Sequence, residues 1–347
     1  MTVVRNLSVK NFRSHLEKTI ELSKNNTVIT GLNGSGKTSL LEAVYLALQG
    51  TSFKGTDTDI VNYEADWWSI QAEFDNDIKR RISFDSTKEN KRKKFVIDDK
   101  TLYRLTPKYK HPVVLFEPND LRLIHGSPNS RRSFVDRLAA QINPSYITVL
   151  NKYERALKQR NNLLKNKISN QDSLFAWDVA IAEKGAYIIN QRISVVEELN
   201  QLINQTYQTI ADNNDSISIH YSHTYIGDVK QKILNDLEKN KDKDLIYGFT
   251  SVGPHRHDIA FYINDHTAQS VASRGEVRTI VLSMKLLEAK IINKIVGQKP
   301  IILMDDVFSE LDEKRQKLLS ETIRDHQIII TSAHYPSTDK SFYYIEI

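Results

Sequence analysis

Two clusters of residues in this sequence have the types and spacing of phosphate chemistry. Gly31-Leu32-Asn33-Gly34-Ser35-Gly36-Lys37-Thr38 fits G-x-x-x-x-G-K-[ST] at every fixed position, and Ser39 follows it. Glycines let such a loop curl so that successive N–H groups face phosphate oxygens. The N-terminus of the helix that follows adds partial positive charge. Lys37 supplies a point charge for the β- and γ-phosphates, and the Thr38 hydroxyl is placed to ligate Mg²⁺. The second cluster is Asp305-Asp306. Asp305 is suited to hold the metal, directly or through water, and Asp306 to orient or deprotonate an attacking water.

Each cluster needs an element behind it. Val3 to Val9 and Asn26 to Thr30 are β-like runs, the second leading into the phosphate loop. After the loop, Leu41, Val44, Tyr45 and Leu48 recur at helical spacing and Gly50 is a natural stop. Pro300 to Met304 is continuously apolar, as for a parallel strand covered on both faces, and Gln327 to Thr331 belongs beside it. Residues 67–74, WWSIQAEF, alternate instead, with Trp68 and Trp67 on opposite faces, which predicts an antiparallel meander over 67–103 with one Trp buried and one at a strand surface in preference to a pair stacked on a base. Within it, KRRISFDSTKENKRKK suits either a phosphate backbone or a solvated hairpin edge. From Ser130 to about residue 245 long amphipathic stretches without a heptad repeat predict a helical lobe.

The 347 residues carry a net charge of +5 and include no cysteine, which excludes disulfide and thiolate metal sites and suits a reducing cytosol. The N-terminal stretch lacks the apolar core of a signal peptide, and no run is long and apolar enough to cross a bilayer. The expectation is a cytoplasmic protein that does not enter a membrane.

Farther along, Ser273-Arg274-Gly275-Glu276-Val277-Arg278 resembles the signature of ABC-type ATPases, a Ser and a Gly at a helix N-terminus. DDVFSELDEKR, with Ser309, Glu310, Leu311 and Asp312, resembles the aspartate loop of the same superfamily. Within it the whole chain resembles the RecF family. The pieces that carry the resemblance are NFRSH at 11–15, GLNGSGKTSLLEAVYLALQGTSFK at 31–54 and VLFEPNDLRLIHGSPNSRRSFVD at 114–136. YERALKQRNNLLK at 153–165 and VGPHRHD at 252–258 complete them with the signature-to-DDVFSELD block, in family order.

The resemblance implies a P-loop NTPase of ABC-ATPase type (an α/β fold) with an antiparallel β subdomain and an inserted helical lobe. Residues 1–118 plus 246–347 would form the ATPase lobe and 119–245 the helical lobe. It implies ATP and Mg²⁺, with Ser273, Gly275, Arg278 and Asp312 added to the nucleotide site. The signature would meet ATP held by a second copy, so that an ATP-dependent homodimer clamps DNA at single-strand/double-strand junctions. Slow hydrolysis would release the clamp, and RecR and RecO-type mediators would be partners in recombinase loading. The alternative is the ATPase subunit of a membrane transporter. A Rad50-like protein is disfavoured by the short insertion and a small-molecule kinase by the signature block. His257 stands where the family carries an acid, Glu117 is a positional candidate for the glutamine loop, and His334 lies a few residues late for the switch histidine. His255 and His257 lack further clustered ligands and suit a structural turn better than a metal. Arg131 and Arg132 suit either phosphate or acidic partners.

Overall fold

Strands that alternate and strands that do not separate into different sheets. The computed structural model describes residues 3–75, 77–166, 171–223, 225–307, 312–333 and 342–347. The chain opens with β1 (Val4–Phe12), β2 (His15–Glu21) and β3 (Asn26–Thr30), then the phosphate loop and helix α1 (Lys37–Gln49). Strands β4 (Trp67–Phe74), β5 (Lys79–Asp85), β6 (Lys94–Ile97) and β7 (Lys100–Leu102) follow, and then β8 (Val113–Phe116).

The next stretch is largely helical: α2 (Arg122–His125), α3 (Pro128–Ile142), α4 (Tyr146–Lys165) and α5 (Gln171–Ala211). Strand β9 (Ile217–Tyr221) precedes α6 (Val229–Lys239) and α7 (Lys241–Tyr247). Strands β10 (Ile259–Ile263) and β11 (His266–Thr267) lead to α8 (Ala268–Val271) and α9 (Arg274–Val296). The chain ends through β12 (Ile301–Asp305), α10 (Glu313–Thr322), β13 (Ile328–Ser332) and β14 (Phe342–Glu346).

These elements fall into two compact units. The first holds residues 1–120 and 288–347, the second 121–287, so the division lies inside α9. Residues 246–287, expected with the ATPase lobe, cluster with the helical unit.

In the first unit an antiparallel sheet runs in the order β2-β1-β4-β5-β6-β7, and a wholly parallel sheet in the order β14-β3-β13-β12-β8. The predicted meander is present. Strand β4 buries Trp68, Ile70, Ala72 and Phe74, while Trp67 is 43% exposed. In the parallel sheet every residue of β12 and β13 is buried, as strands covered on both faces require. Helix α1 explains how one unit carries both sheets. Leu40, Leu41, Val44, Leu46, Ala47 and Leu48 give it a broad apolar surface, and a helix of that kind needs cover on more than one side. It packs on strands of both sheets, in one core with Trp68, Ile70 and Ile82 of the antiparallel sheet and Ile29, Leu303 and Ile329 of the parallel one.

The basic run over 79–94 is divided between surface and core. Arg80 is 1% exposed, lies over the Phe74 ring, and donates to the carbonyl oxygens of Ala47 and Tyr109. Burial lowers its pKa to about 10. It joins the meander to the end of α1, while Lys91, Arg92 and Lys94 remain at the surface.

The second unit pairs β9 with β10 and β11 in a three-stranded antiparallel sheet, against which α5 packs. Its long helices are tied by buried ion pairs. Arg192 holds Asp136 through both carboxylate oxygens at 2.8 and 2.9 Å and donates to the Pro254 carbonyl at 2.7 Å.

Candidate nucleotide site

Strand β3 and helix α1 fix the two ends of the phosphate loop, and glycine makes the turn between them possible. Gly34 and Gly36 have φ of 87° and 98°, backbone that side chains other than glycine adopt only at a cost. At Gly36 a Cβ would also run into the His15 ring and the Ser14 hydroxyl. His15 makes the contact that crowds it, its Nε2 lying 3.1 Å from the Gly36 carbonyl oxygen. Arg13, two residues earlier, grips both carboxylate oxygens of Glu42 on α1 at 2.9 and 2.8 Å. The NFRSH segment is therefore a brace for the loop and its helix, a role its residue types alone did not disclose.

Lys37 is buried, and its ammonium donates to the Gly31 and Leu32 carbonyls, both at 2.9 Å. It lies under the curl of the loop. The Ser35 hydroxyl is buried and has no hydrogen-bond partner among the described residues. Leu32 is 83% exposed, whereas Thr38 leads inward from the start of α1.

Asp305 ends β12 next to that start. Its Oδ1 accepts from the Thr38 hydroxyl at 2.6 Å and from the Thr331 hydroxyl at 2.9 Å. Its Oδ2 faces the Lys54 ammonium at 3.4 Å. Thr331 sits opposite Asp305 in the β12–β13 register, so parallel pairing carries its hydroxyl to the carboxylate. The same hydroxyl accepts from the Asp306 amide at 3.1 Å and so links the two acids. Asp306 has left the strand: its φ is 54°, a left-handed conformation that Asp tolerates better than most residues. Such outliers cluster at functional sites.

The residues fit a nucleotide and its metal. The loop presents backbone amides, an orphaned Ser35 hydroxyl and a lysine, the donors a polyphosphate takes up. Thr38 and Asp305 place a hydroxyl and a carboxylate oxygen 2.6 Å apart, the hard oxygen pair Mg²⁺ prefers. Sequence reasoning missed Thr331 and Lys54. The first ends the predicted Gln327 to Thr331 strand and the second ends the 31–54 segment, but neither spacing marks them.

The remaining predicted residues take other places. Ser273 caps α9 in a reciprocal pair: its amide donates to Glu276 Oε2 at 2.6 Å, and its hydroxyl accepts from the Glu276 amide at 3.3 Å. Ser273, Gly275 and Arg278 are exposed and belong to the second unit. Asp312 caps α10, accepting from the Arg315 amide at 2.9 Å, and that bond holds its carboxyl below the usual range. The Glu117 amide donates to Asp120 just after β8. Ser309, Glu310, Leu311 and His334 lie outside the described residues.

The GPHRHD turn is a polar hub of the second unit. Arg131 grips Asp258 at 2.8 and 2.7 Å, and Arg132 donates to the His257 carbonyl at 2.6 Å. His255 Nδ1 meets the Tyr153 hydroxyl at 2.6 Å and His257 Nδ1 the Tyr221 hydroxyl at 2.9 Å. Burial lowers both imidazoles to a pKa of about 4. No cluster of potential metal ligands occurs among the described residues.

A family model described as an AAA domain matches residues 6–325. The DNA replication and repair protein RecF of Lachnoclostridium phytofermentans is 33% identical, the alignment covering 95% of this chain and 92% of that protein. That of Streptococcus uberis is 35% identical over 98% and 97%. Among solved structures, the recombination mediator protein RecF with ATP superposes with a TM-score of 0.88 at 29% identity, covering 97% of this chain and 94% of that one. The Smc head domain of Pyrococcus furiosus, 16% identical with a TM-score of 0.53, shares the fold. With two curated relatives above 30% identity along nearly the whole of both lengths, and an ABC-type fold carrying a braced phosphate loop, the chain belongs to the RecF family.

Proposed function

We propose that this chain binds and hydrolyses ATP with Mg²⁺, and that ATP closes two copies on DNA where duplex meets single strand. The observation that carries the reading is the Thr38–Asp305 hydrogen bond, which joins the phosphate loop to the end of β12 and brings two oxygen ligands together. Mg²⁺ would be held by Thr38 and Asp305 and would neutralise charge developing on the phosphates. Gly31 through Ser39 would cradle the phosphates, with Lys37 at the β- and γ-groups. Asp306 would orient the attacking water, fixed in its turned-out conformation by Thr331.

Ser273, Gly275 and Arg278 of a second copy would complete the site. Gly275 supports that role: a Cβ there would meet nothing closer than the Ser273 hydroxyl at 3.9 Å among the described residues, so their packing does not require glycine. A helix that carries glycine without an internal need leaves its end open to something outside. Asp312 would act beside the same interface. ATP then serves as a switch between open and closed states, and slow hydrolysis releases the DNA. The relatives are DNA replication and repair proteins, and the ATP-bound RecF structure belongs to the RecFOR pathway; both support a repair role with RecO- and RecR-type partners over a transporter subunit.

The test measures mass in solution and affinity for gapped DNA, with ATP–Mg²⁺ against ADP. Asp306→Asn is expected to accumulate as an ATP-bound dimer, and Lys37→Ala to remain monomeric. A wild-type protein that stays monomeric and ignores DNA with ATP overturns the reading.

A further inference from the structure

Helix α7 ends in a cluster of apolar side chains turned to solvent. Ile246 is 82% exposed, Tyr247 58% and Phe249 40%, with Gly248 between the rings at φ 72°. Apolar area costs about 25 cal/mol per Å² to leave in water, so three such residues in four positions stand out. The rings are also ordered. Tyr247 and Phe249 stack with centroids 5.7 Å apart and planes 18° from parallel, and the Arg256 guanidinium lies 4.7 Å from the Phe249 centroid.

The stack stands on a rigid base. Arg256 is pinned by donation to the Thr250 carbonyl at 3.2 and 2.9 Å. Thr250 in turn donates its hydroxyl to Asn161 at 2.7 Å and accepts from Arg160 at 3.0 Å. Arg160 is fully buried and paired with Asp178 at 2.5 Å and Asp244 at 2.6 Å. Asp244 also accepts from the Ser251 amide at 3.0 Å. The hub thus consumes both of these acids internally and holds the 248–251 turn in one conformation.

What surrounds the stack is basic. Lys239, Lys241 and Lys243 stand on the adjoining segment, and the stem of Lys165 lies against Gly248. Two exposed acids, Glu238 and Asp242, alternate with these lysines on that segment. Parallel rings extended by a guanidinium, with Lys165 against the turn between them, suit flat aromatic groups on an anionic chain.

We infer that Tyr247, Phe249 and Arg256 form a stacking platform for unpaired bases, with Lys165 and Lys243 taking the adjacent phosphates. This deepens the DNA-binding reading above and rests on it, assigning the single-stranded side of the substrate to the second unit. A base stacks on an aromatic ring whatever its sequence, so the platform selects unpaired strand and not a motif.

The experiment measures affinities of the full chain for oligo-dT, for a duplex of equal length and for gapped duplex, with ATP–Mg²⁺. In the Tyr247→Ala/Phe249→Ala variant, affinity for oligo-dT and gapped DNA is expected to fall about tenfold or more, given about 1–3 kcal/mol per stacked base. Duplex affinity and ATP binding are expected to hold. Tyr247→Phe/Phe249→Tyr is expected to restore single-strand binding. Unchanged oligo-dT affinity, with duplex binding intact, overturns the platform and leaves the DNA reading standing. Failure of the wild type to bind any DNA overturns both. Loss of self-association with oligo-dT binding retained marks the patch as a protein contact and also overturns the platform. Photo-cross-linking of halogenated oligo-dU to the wild-type protein needs no variant. Adducts on Tyr247 or Phe249 are expected, and adducts confined to other segments overturn the assignment.

Discussion

Thr331 is the residue on which the geometry of the two acids depends. Its hydroxyl donates to Asp305 and accepts from the Asp306 amide, so one side chain sets both the proposed metal ligand and the proposed water-orienting group. Thr331→Val keeps the shape and removes both hydroxyl bonds, leaving the Asp306 amide its bond to the Thr331 carbonyl at 3.2 Å and the buried Asp305 carboxylate one donor short, at a cost of about 1–3 kcal/mol. The expected outcome is a lowered melting temperature and an ATPase rate reduced about tenfold or more, with ATP affinity nearly unchanged, since the loop is untouched. Equal rates in variant and wild type would remove Thr331 from the site. Lys54 bears on the same carboxylate from the other side. Its ammonium faces Asp305 Oδ2, where it competes with any cation that approaches. Lys54→Ala is therefore expected to lower the Mg²⁺ concentration at half-maximal ATP-dependent dimerisation, read by light scattering across a Mg²⁺ titration. A raised requirement would mean that Lys54 assists the metal instead.

At the scale of elements, the start of α9 serves two purposes. Ser273 and Glu276 cap the helix reciprocally, while a Cβ on Gly275 between them would meet nothing closer than 3.9 Å among the described residues. Gly275→Ala meets no obstacle and gains helix propensity of up to about 1 kcal/mol. Its stability in urea should hold or rise while ATP-dependent dimerisation falls, the opposite signs separating a folding role from a contact with a second copy. A variant that dimerises like the wild type would take the signature out of the interface. Helix α1 shows the reverse case, an element whose function follows from its burial. Because it is covered by both sheets, and Arg13 and His15 brace its first turn and the loop before it, the phosphate loop is held at both ends.

At the scale of the whole molecule, burial lowers the pKa of four imidazoles among the described residues, His326 among them. His111 in the first unit and His255 and His257 in the second each have a pKa lowered to about 4, burial being the main cause. An unfolded histidine takes its proton near pH 6.5, so between about 6.5 and 4 the unfolded chain binds more protons than the folded one. Stability is present in full above that window and is lost as pH falls through it. Thermal melts from pH 7.5 to 4.5 should show a falling transition, flattened in His255→Asn. A melting temperature independent of pH over that range would contradict the buried, neutral assignment.

The phosphate loop, the paired acids, the two kinds of strand and the family are legible in the order of residues. Each of these is written in local spacing: a glycine pattern before a helix, an unbroken apolar run ending in Asp305-Asp306, alternation through Trp68 and Phe74. Motifs of this kind are short because the backbone geometry they encode is short. The tertiary structure alone decided what joins them. Thr331 and Asp305 are 26 residues apart and meet only because β12 and β13 pair in parallel register. Thr38 and Asp305 are 267 apart and meet because β3 and β12 flank β13 in the same sheet. Arg80 read as part of a basic surface run and proved to be core, since the pleat turns alternate residues of β5 inward. Long-range register and the face a side chain takes depend on which elements cover which, a property of the packed chain that no local spacing carries.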